Sequence, residues 1–234
     1  MSEVAKAFSG LSQLEVGMGE VAFVFHKISA VAVKTCRHRF LIDPADYFSL
    51  EDVRSLGELD AILITHEHYD HFDAPSTVKM QEATGAVVVC NPGAYGPLKG
   101  RLPAEKLVRL ELGKTAQVKD AKITAIKSVH PGKEPIMFLV EADEVSLFHG
   151  SDSGYTSTIE RYGGRAKLAF VPVGKPSPTA SARDAVKMVK ALRCTIAVPI
   201  HGSEEEASGF RERVQKESPD VRVIVPEPMK IYRV

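Results

Sequence analysis

A net charge is the first thing missing from this chain of 234 residues: thirty lysines and arginines are matched by thirty aspartates and glutamates. Without an excess of either sign there is no long-range field to gather a polyanion or an anionic membrane, which argues against nucleic acid as a partner. Cysteine is scarce. Cys36, Cys90 and Cys194 are odd in number, widely spaced and never paired as CxxC, so buried free thiols and a reducing compartment are expected. No apolar run reaches the ~18 residues that a membrane span requires. The first residues, MSEVAKAFSGLSQLEVG, contain no signal-type apolar segment, and a cytoplasmic protein without a membrane partner is expected. Gly17-Met18-Gly19 lacks the third glycine and the helix of a dinucleotide fingerprint. The segment NPGAYGPLKGR (91–101) lacks the aromatic–basic alternation of a nucleic-acid platform. No linker, low-complexity tract or repeat divides the chain, so one domain over 1–234 is predicted, long enough to bury a core without staples.

What is present is a long series of short β-type runs rich in Val, Ile and Phe and punctuated by Gly, Pro, Asn and Asp. They fall at 21–25, 30–35, 39–43, 60–65, 86–90, 106–112, 121–129, 136–142, 145–149, 167–173, 195–200, 221–226 and 230–234. Helical signals are fewer. Ala182, Ala185, Val186, Val189 and Leu192 follow a helical period, and Ser203 with Glu206 forms a capping-box pattern ahead of Ala207, Phe210 and Val214. A weaker helix is predicted over 75–84, stopping at Gly85. Strands first, then strands alternating with helices, predict an α/β fold of two sheets between helices.

The densest chemistry is ITHEHYDHFD at 64–73, which leaves the C-terminal end of the predicted strand DAILIT. His66, His68, Asp70 and His71 supply imidazole and carboxylate, suited to a borderline cation such as zinc. An i, i+2 pair on a loop can chelate one ion while the next two residues point elsewhere, which allows two ions side by side. The helical HExxH pattern is excluded, since Asp70 stands four after His66. Three further strands each deliver one such side chain just past their ends: His130, Asp152 and His201.

THEHYDH has the HxHxDH form and resembles the metallo-β-lactamase fold superfamily, with His130, Asp152 and His201 matching its later ligand positions in order. FLIDP, with Asp43, is similar to its first motif. The resemblance runs from about residue 20 to the end. It implies a four-layer αβ/βα sandwich of two mixed sheets flanked by helices, with two divalent ions at one edge, Zn2+ first and Mn2+ or iron as alternatives. By that resemblance His66, His68 and His130 hold one ion, Asp70, His71 and His201 the other, and Asp152 bridges them. The implied activity is a metal-dependent hydrolase in which a hydroxide, acidified from water by two cations, cleaves a small ester, lactone or phosphodiester. Asp70 would orient it and take its proton. A nuclease or an iron redox member of the superfamily is the alternative. The partner implied is a small-molecule substrate, and a homo-oligomer is compatible with everything above.

The tail DHFD, the stretch FHKISAVAVKT with His26, and FHGSDSG with His149 three before Asp152 are similar to the branch of ascorbate-6-phosphate lactonase and the N-acyl-phosphatidylethanolamine phospholipase D type. PVGKPSPTASARDAVKMV is similar to a PIGxxxTM stretch of that branch but has no methionine at the matching position. Asp43, Asp73, His26 and His149 are therefore expected to support the ligands or the substrate. His38 is expected on an exposed hairpin, dispensable for metal and activity, Glu67 in solvent, and Lys175 on the surface.

Overall fold

A computed structural model, describing residues 1–174 and 180–234, has two seven-stranded sheets lying face to face. The first contains β1 (Ala22–Phe25), β2 (Val31–Lys34), β3 (Arg39–Ile42), β4 (Ala61–Ile64), β5 (Val87–Cys90) and β6 (Leu107–Arg109) in that order, with β14 (Ile231–Arg233) beside β1. The second runs from β7 (Thr115–Val118) through β8 (Ala121–Lys127), β9 (Ile136–Ala142), β10 (Val145–His149), β11 (Leu168–Pro172) and β12 (Ile196–Ile200) to β13 (Arg222–Val223). In each sheet the ladders are antiparallel at one side and parallel at the other: β14 to β3 and β7 to β10 are antiparallel, and β3 to β6 and β10 to β13 are parallel.

Both faces of the sheets are covered, which is why their strands read as continuous apolar runs rather than alternating ones. Phe23, Phe40, Leu63, Phe138, Leu147, Phe170 and Val198 fill the space between the sheets. Their neighbours Val24, Leu41 and Ile62 turn outward under α1 (Glu3–Gln13), α2 (Leu50–Arg54), α3 (Ala74–Thr84) and α4 (Pro92–Leu98). On the far side Leu139, Phe148 and Val171 meet Val189 of α5 (Ala182–Leu192) and Phe210 of α6 (Glu204–Glu217). The layers are helix, sheet, sheet, helix, as expected. Among the described residues no helix is long and apolar enough to cross a membrane.

The predicted helices form with the caps their sequences offer. Ser181 accepts from the Asp184 amide, Ser203 and Glu206 complete their capping box, and α3 stops at Gly85 in the left-handed region at φ 68°. Three helices go beyond the sequence signals. α1 buries Ala5, Ala7, Phe8 and Leu11, a helical stripe weakened by small residues. α2 is only one turn and a half long, and α4 contains Gly93, Gly96 and Pro97, which read as a loop. Strand β7 also lacks a clear signal, because TAQV offers two apolar residues at the sheet edge.

His38 corrects an expectation. It is 1% exposed, not a surface hairpin residue. Its Nδ1 lies 3.2 Å from Asp143 Oδ2, and that carboxylate also accepts from Thr35 Oγ1 (2.7 Å), the Arg37 amide (2.6 Å) and Arg37 Nε (2.7 Å). Asp143 and Glu144, at φ 50° and 62°, form the tight two-residue turn between β9 and β10, so one buried carboxylate ties that turn to the β2–β3 hairpin of the other sheet. Cys36 is half-buried rather than buried, while Cys90 and Cys194 are buried, and all three are free.

Burial pushes the Asp143 carboxyl up, but its donors from Thr35, Arg37 and His38 outweigh this and hold it well below the usual carboxylate range. A depressed folded value contributes stability that is complete above the unfolded value near ~3.9 and is lost as pH falls through and below it. Asp143→Asn keeps the turn, since Asn tolerates positive φ, and leaves at least one donor unmatched. It should cost about 1–3 kcal/mol at pH 7 by urea denaturation, with the gap to the parent narrowing below about pH 4 and metal content unchanged.

Candidate metal centre

Five strand ends converge on one edge of the sandwich. β3 ends at Asp43, and β4 runs into the loop carrying His66, His68, Asp70 and His71. From the other sheet, β8 leads to His130, β10 to Asp152 and β12 to His201. Two groups of ligand-type atoms result, each with all atoms within 4.8 Å of one another: His66, His68 and His130, and Asp70, His71, Asp152 and His201.

In the first group His68 Nδ1 stands 3.1 Å from His66 Nε2 and 3.1 Å from His130 Nε2. Ligand nitrogens ~2.05 Å from a tetrahedral zinc would be ~3.3 Å apart, so the three rings already sit close to that spacing. In the second group Asp152 Oδ1 is 3.0 Å from His71 Nε2, and Asp152 Oδ2 is 3.1 Å from His201 Nε2. The same Oδ2 is 3.7 Å from His130 Nε2 and 3.9 Å from His66 Nε2, so the Asp152 carboxylate faces both groups. Asp70 Oδ2 lies 3.7 Å from His201 Nε2. Although so close to carboxylate oxygens, His71 Nε2 and His201 Nε2 are buried without a hydrogen bond of acceptable geometry. Two such orphaned buried nitrogens beside carboxylate oxygens fit a cation.

The opposite ring nitrogens are anchored. Asp43, fully buried, accepts from the Thr65 amide at 2.8 Å, from Thr65 Oγ1 at 2.7 Å and from His71 Nδ1 at 2.8 Å. Thr65 Oγ1 in turn lies 3.0 Å from His66 Nδ1 and accepts from Ser151 Oγ at 2.8 Å. Since the Thr65 hydroxyl proton goes to Asp43, its oxygen is an acceptor for His66 Nδ1–H. Both His66 and His71 are thereby held with a proton on Nδ1 and with Nε2 free for a ligand.

Burial, followed by the positive His71 nearby, pushes His66 down to about 2, so it is neutral. Burial also opposes charge on His71, but Asp43 and Asp152 outweigh it and push that ring up to about 10. His201 is pushed up to about 9 in the same way, burial being outweighed by Asp152 and Asp70. Asp152 is held well below the carboxylate range because His201 and His71 outweigh its burial, and Asp70 is lowered chiefly by His201. The pattern is a pocket of negative charge from Asp43, Asp70 and Asp152 that draws in positive charge.

The supporting residues divide. His149 is fully buried, donates from Nε2 to the Ser29 carbonyl at 2.9 Å and accepts the Ser151 amide on Nδ1 at 3.3 Å, so it holds the turn that presents Asp152. His26 packs against the Tyr47 and Phe48 rings, and Tyr47 donates to the Asp70 carbonyl at 2.9 Å, so its link to the site runs through Tyr47. Asp73 serves the helix instead of the cluster, since its Oδ1 accepts the Ser76 amide and caps α3. Glu67 is anchored rather than solvated. It accepts the Lys133 amide at 2.6 Å and Asn91 Nδ2 at 3.1 Å, tying the ligand loop to the His130 loop. At Gly93 a Cβ would come within 2.0 Å of Glu67 Oε2, so a side chain there would displace the Glu67 carboxylate from its donors. Lys175 lies outside the described residues.

Thr65 and Ser151 take part in the site without having been singled out by sequence, while Ser29 lies in the FHKISAVAVKT stretch and Glu67 is the residue expected in solvent. Ser29 Oγ reaches Asp152 Oδ1 at 3.5 Å. Ser151 stands directly before Asp152 in a turn flanked by glycines. The backbone is also unusual here: Ile28, Asp43, Ala45, Ser151 and His201 all have φ between 45° and 54°. Such conformations concentrate at functional sites.

A profile described as "Beta-lactamase superfamily domain" matches residues 38–202. The chain belongs to that superfamily. Within it, the chain is 31% identical over 183 residues to a UPF0173 protein of Pyrococcus furiosus, covering 76% of this chain and 83% of the relative. A protein of Methanopyrus kandleri named UPF0173 metal-dependent hydrolase is 26% identical over 82% of this chain and 90% of its own length. The fold of Igni18, described as a novel metallo hydrolase from Ignicoccus hospitalis, superposes with a TM-score of 0.79 at 22% identity, over 92% of this chain and 98% of that one.

Proposed function

We propose that the protein is a hydrolase with a dinuclear metal centre, in which His66, His68 and His130 hold one divalent cation, Asp70, His71 and His201 the other, and Asp152 both, and that it cleaves a small ester, lactone or phosphodiester. The coarser activity, metal-dependent hydrolysis, is the one its superfamily relatives are named for. The observation that carries the finer reading is that one carboxylate, Asp152, faces ring nitrogens of both ligand groups. Nitrogen and carboxylate donors suit zinc first, with manganese or iron as alternatives.

Bound there, two such ions supply a water acidified towards neutrality and a Lewis acid for the developing oxyanion. The chain's own residues do the rest. Asp70, half-buried at the edge of the cluster, can accept a proton from the attacking water. Tyr47 steadies the Asp70 backbone, and Asp43 fixes His71 and, through Thr65, His66. The balanced charge of the chain supports a small-molecule substrate over a polyanion, and three free cysteines support a reducing compartment.

Elemental analysis of the purified protein should find about two divalent ions per chain. Hydrolysis of bis(p-nitrophenyl) phosphate or p-nitrophenyl esters should vanish on prolonged chelation and return with zinc or manganese. Activity indifferent to chelation would remove this reading.

A further inference from the structure

Beside His201 lies a cavity of about 170 Å³ between the N-terminus of α6 and the segment 225–228. Its walls are Phe25, Val173, Ile200, Ala207, Val225 and Pro226, with His201 and Gly202 along one side. Among the described residues, other cavities lined by surface residues of α5 and α6, of the β9–β10 turn and of the segment after α1 include no member of the ligand cluster.

We infer that this cavity receives a neutral aliphatic arm of the substrate, of about five or six carbons, while the scissile bond lies over the cluster. The inference rests on the hydrolase reading above. Three observations support it. The cavity is bounded by His201, a member of the cluster whose Nε2 lies 3.7 Å from Asp70 Oδ2 and 3.1 Å from Asp152 Oδ2. Its walls are aliphatic and aromatic carbon, the lining that small-molecule sites favour. At its rim, exposed Glu204 opens an acidic first turn with Glu205 and Glu206, which disfavours a carboxylate or phosphate on that arm. A cavity of roughly 150 Å³ takes a six-carbon ring, and this similar volume sets the arm's length.

Each methylene moved from water into such a space strengthens binding by about fourfold. With zinc-loaded protein, kcat/KM for p-nitrophenyl esters should therefore rise at least tenfold from acetate to hexanoate and gain nothing further at decanoate. Ala207→Phe narrows the cavity from α6, and Val225→Trp does so from the half-buried opposite wall. Each should lower kcat/KM for the hexanoate ester at least fivefold more than for the acetate ester.

Binding can be read without turnover. Hexan-1-ol should shift the methyl resonances of Ala207 and Val225 in the protein, but not those of Val189, buried on the inner face of α5. Equal kcat/KM across the ester series, or hexan-1-ol leaving both methyls unmoved, would overturn the proposal. If hexan-1-ol shifts them but no ester or phosphodiester is cleaved by the metal-loaded protein, the aliphatic site stands and the hydrolytic reading falls.

Discussion

Asp152→Asn is expected to lose most of the second metal ion and to slow hydrolysis by roughly a hundredfold or more, about 3 kcal/mol of barrier. The carboxylate is almost fully buried and turns Oδ1 to His71 and Oδ2 to His201, His130 and His66. An amide of the same size presents an NH2 group to one of those sides, and NH2 has no lone pair to offer a cation. It also removes one of the three negative charges that offset two divalent ions. The site of Asp70, His71 and His201 should suffer most, because Asp152 makes its closest approaches there, at 3.0 and 3.1 Å. Elemental analysis and an ester assay on one preparation read both effects. Two ions per chain with near-normal turnover would show that Asp152 does not bridge.

The second large effect is expected from Asp43→Asn. Asp43 sits at φ 47°, a conformation Asn tolerates, so the backbone should survive. Its two oxygens accept three hydrogen bonds, from the Thr65 amide, the Thr65 hydroxyl and His71 Nδ1. An amide can satisfy one side only, and its NH2 then opposes a donor on the other. His71 loses the partner that holds its proton on Nδ1, or Thr65 releases the hydroxyl that orients His66. Metal affinity should fall roughly 10- to 100-fold, as when ligand-supporting carboxylates are removed elsewhere. Competition with a chromophoric chelator measures it. Affinity within twofold of the parent would show that His71 is held by packing alone.

Most of the architecture is legible because strands covered on both faces are continuous apolar runs, and the ligands stand where such runs stop. His66, His68, Asp70, His71, His130, Asp152 and His201 are readable from residue type and place, and the fold brings all seven to one edge. What escapes has a physical reason. His38, between Arg37 and Arg39, reads as exposed because its partner Asp143 is 105 residues away. Glu67 reads as solvated because its donors come from Asn91 and Lys133, on two other loops. Asp73 reads as part of the cluster by proximity in the chain, yet its nearest donor is the amide of the helix it caps. Helix α4 hides behind Gly93, whose missing side chain serves Glu67 rather than a turn.

The left-handed backbone at Asp43, Ser151 and His201 has a consequence for how this protein can change over generations. Each such residue carries about 1–2 kcal/mol of conformational cost that glycine would not. Glycine would relieve that cost, yet Asp43→Gly would leave the Thr65 and His71 donors unmatched and Ser151→Gly would remove the donor to Thr65, so the exchange gains no stability. Glycine at any of the three erases a side chain of the ligand edge or of its hydrogen-bonded support. The backbone cost is locked in by the buried bonds these side chains make, and the positions stay closed to glycine for as long as the edge is built this way.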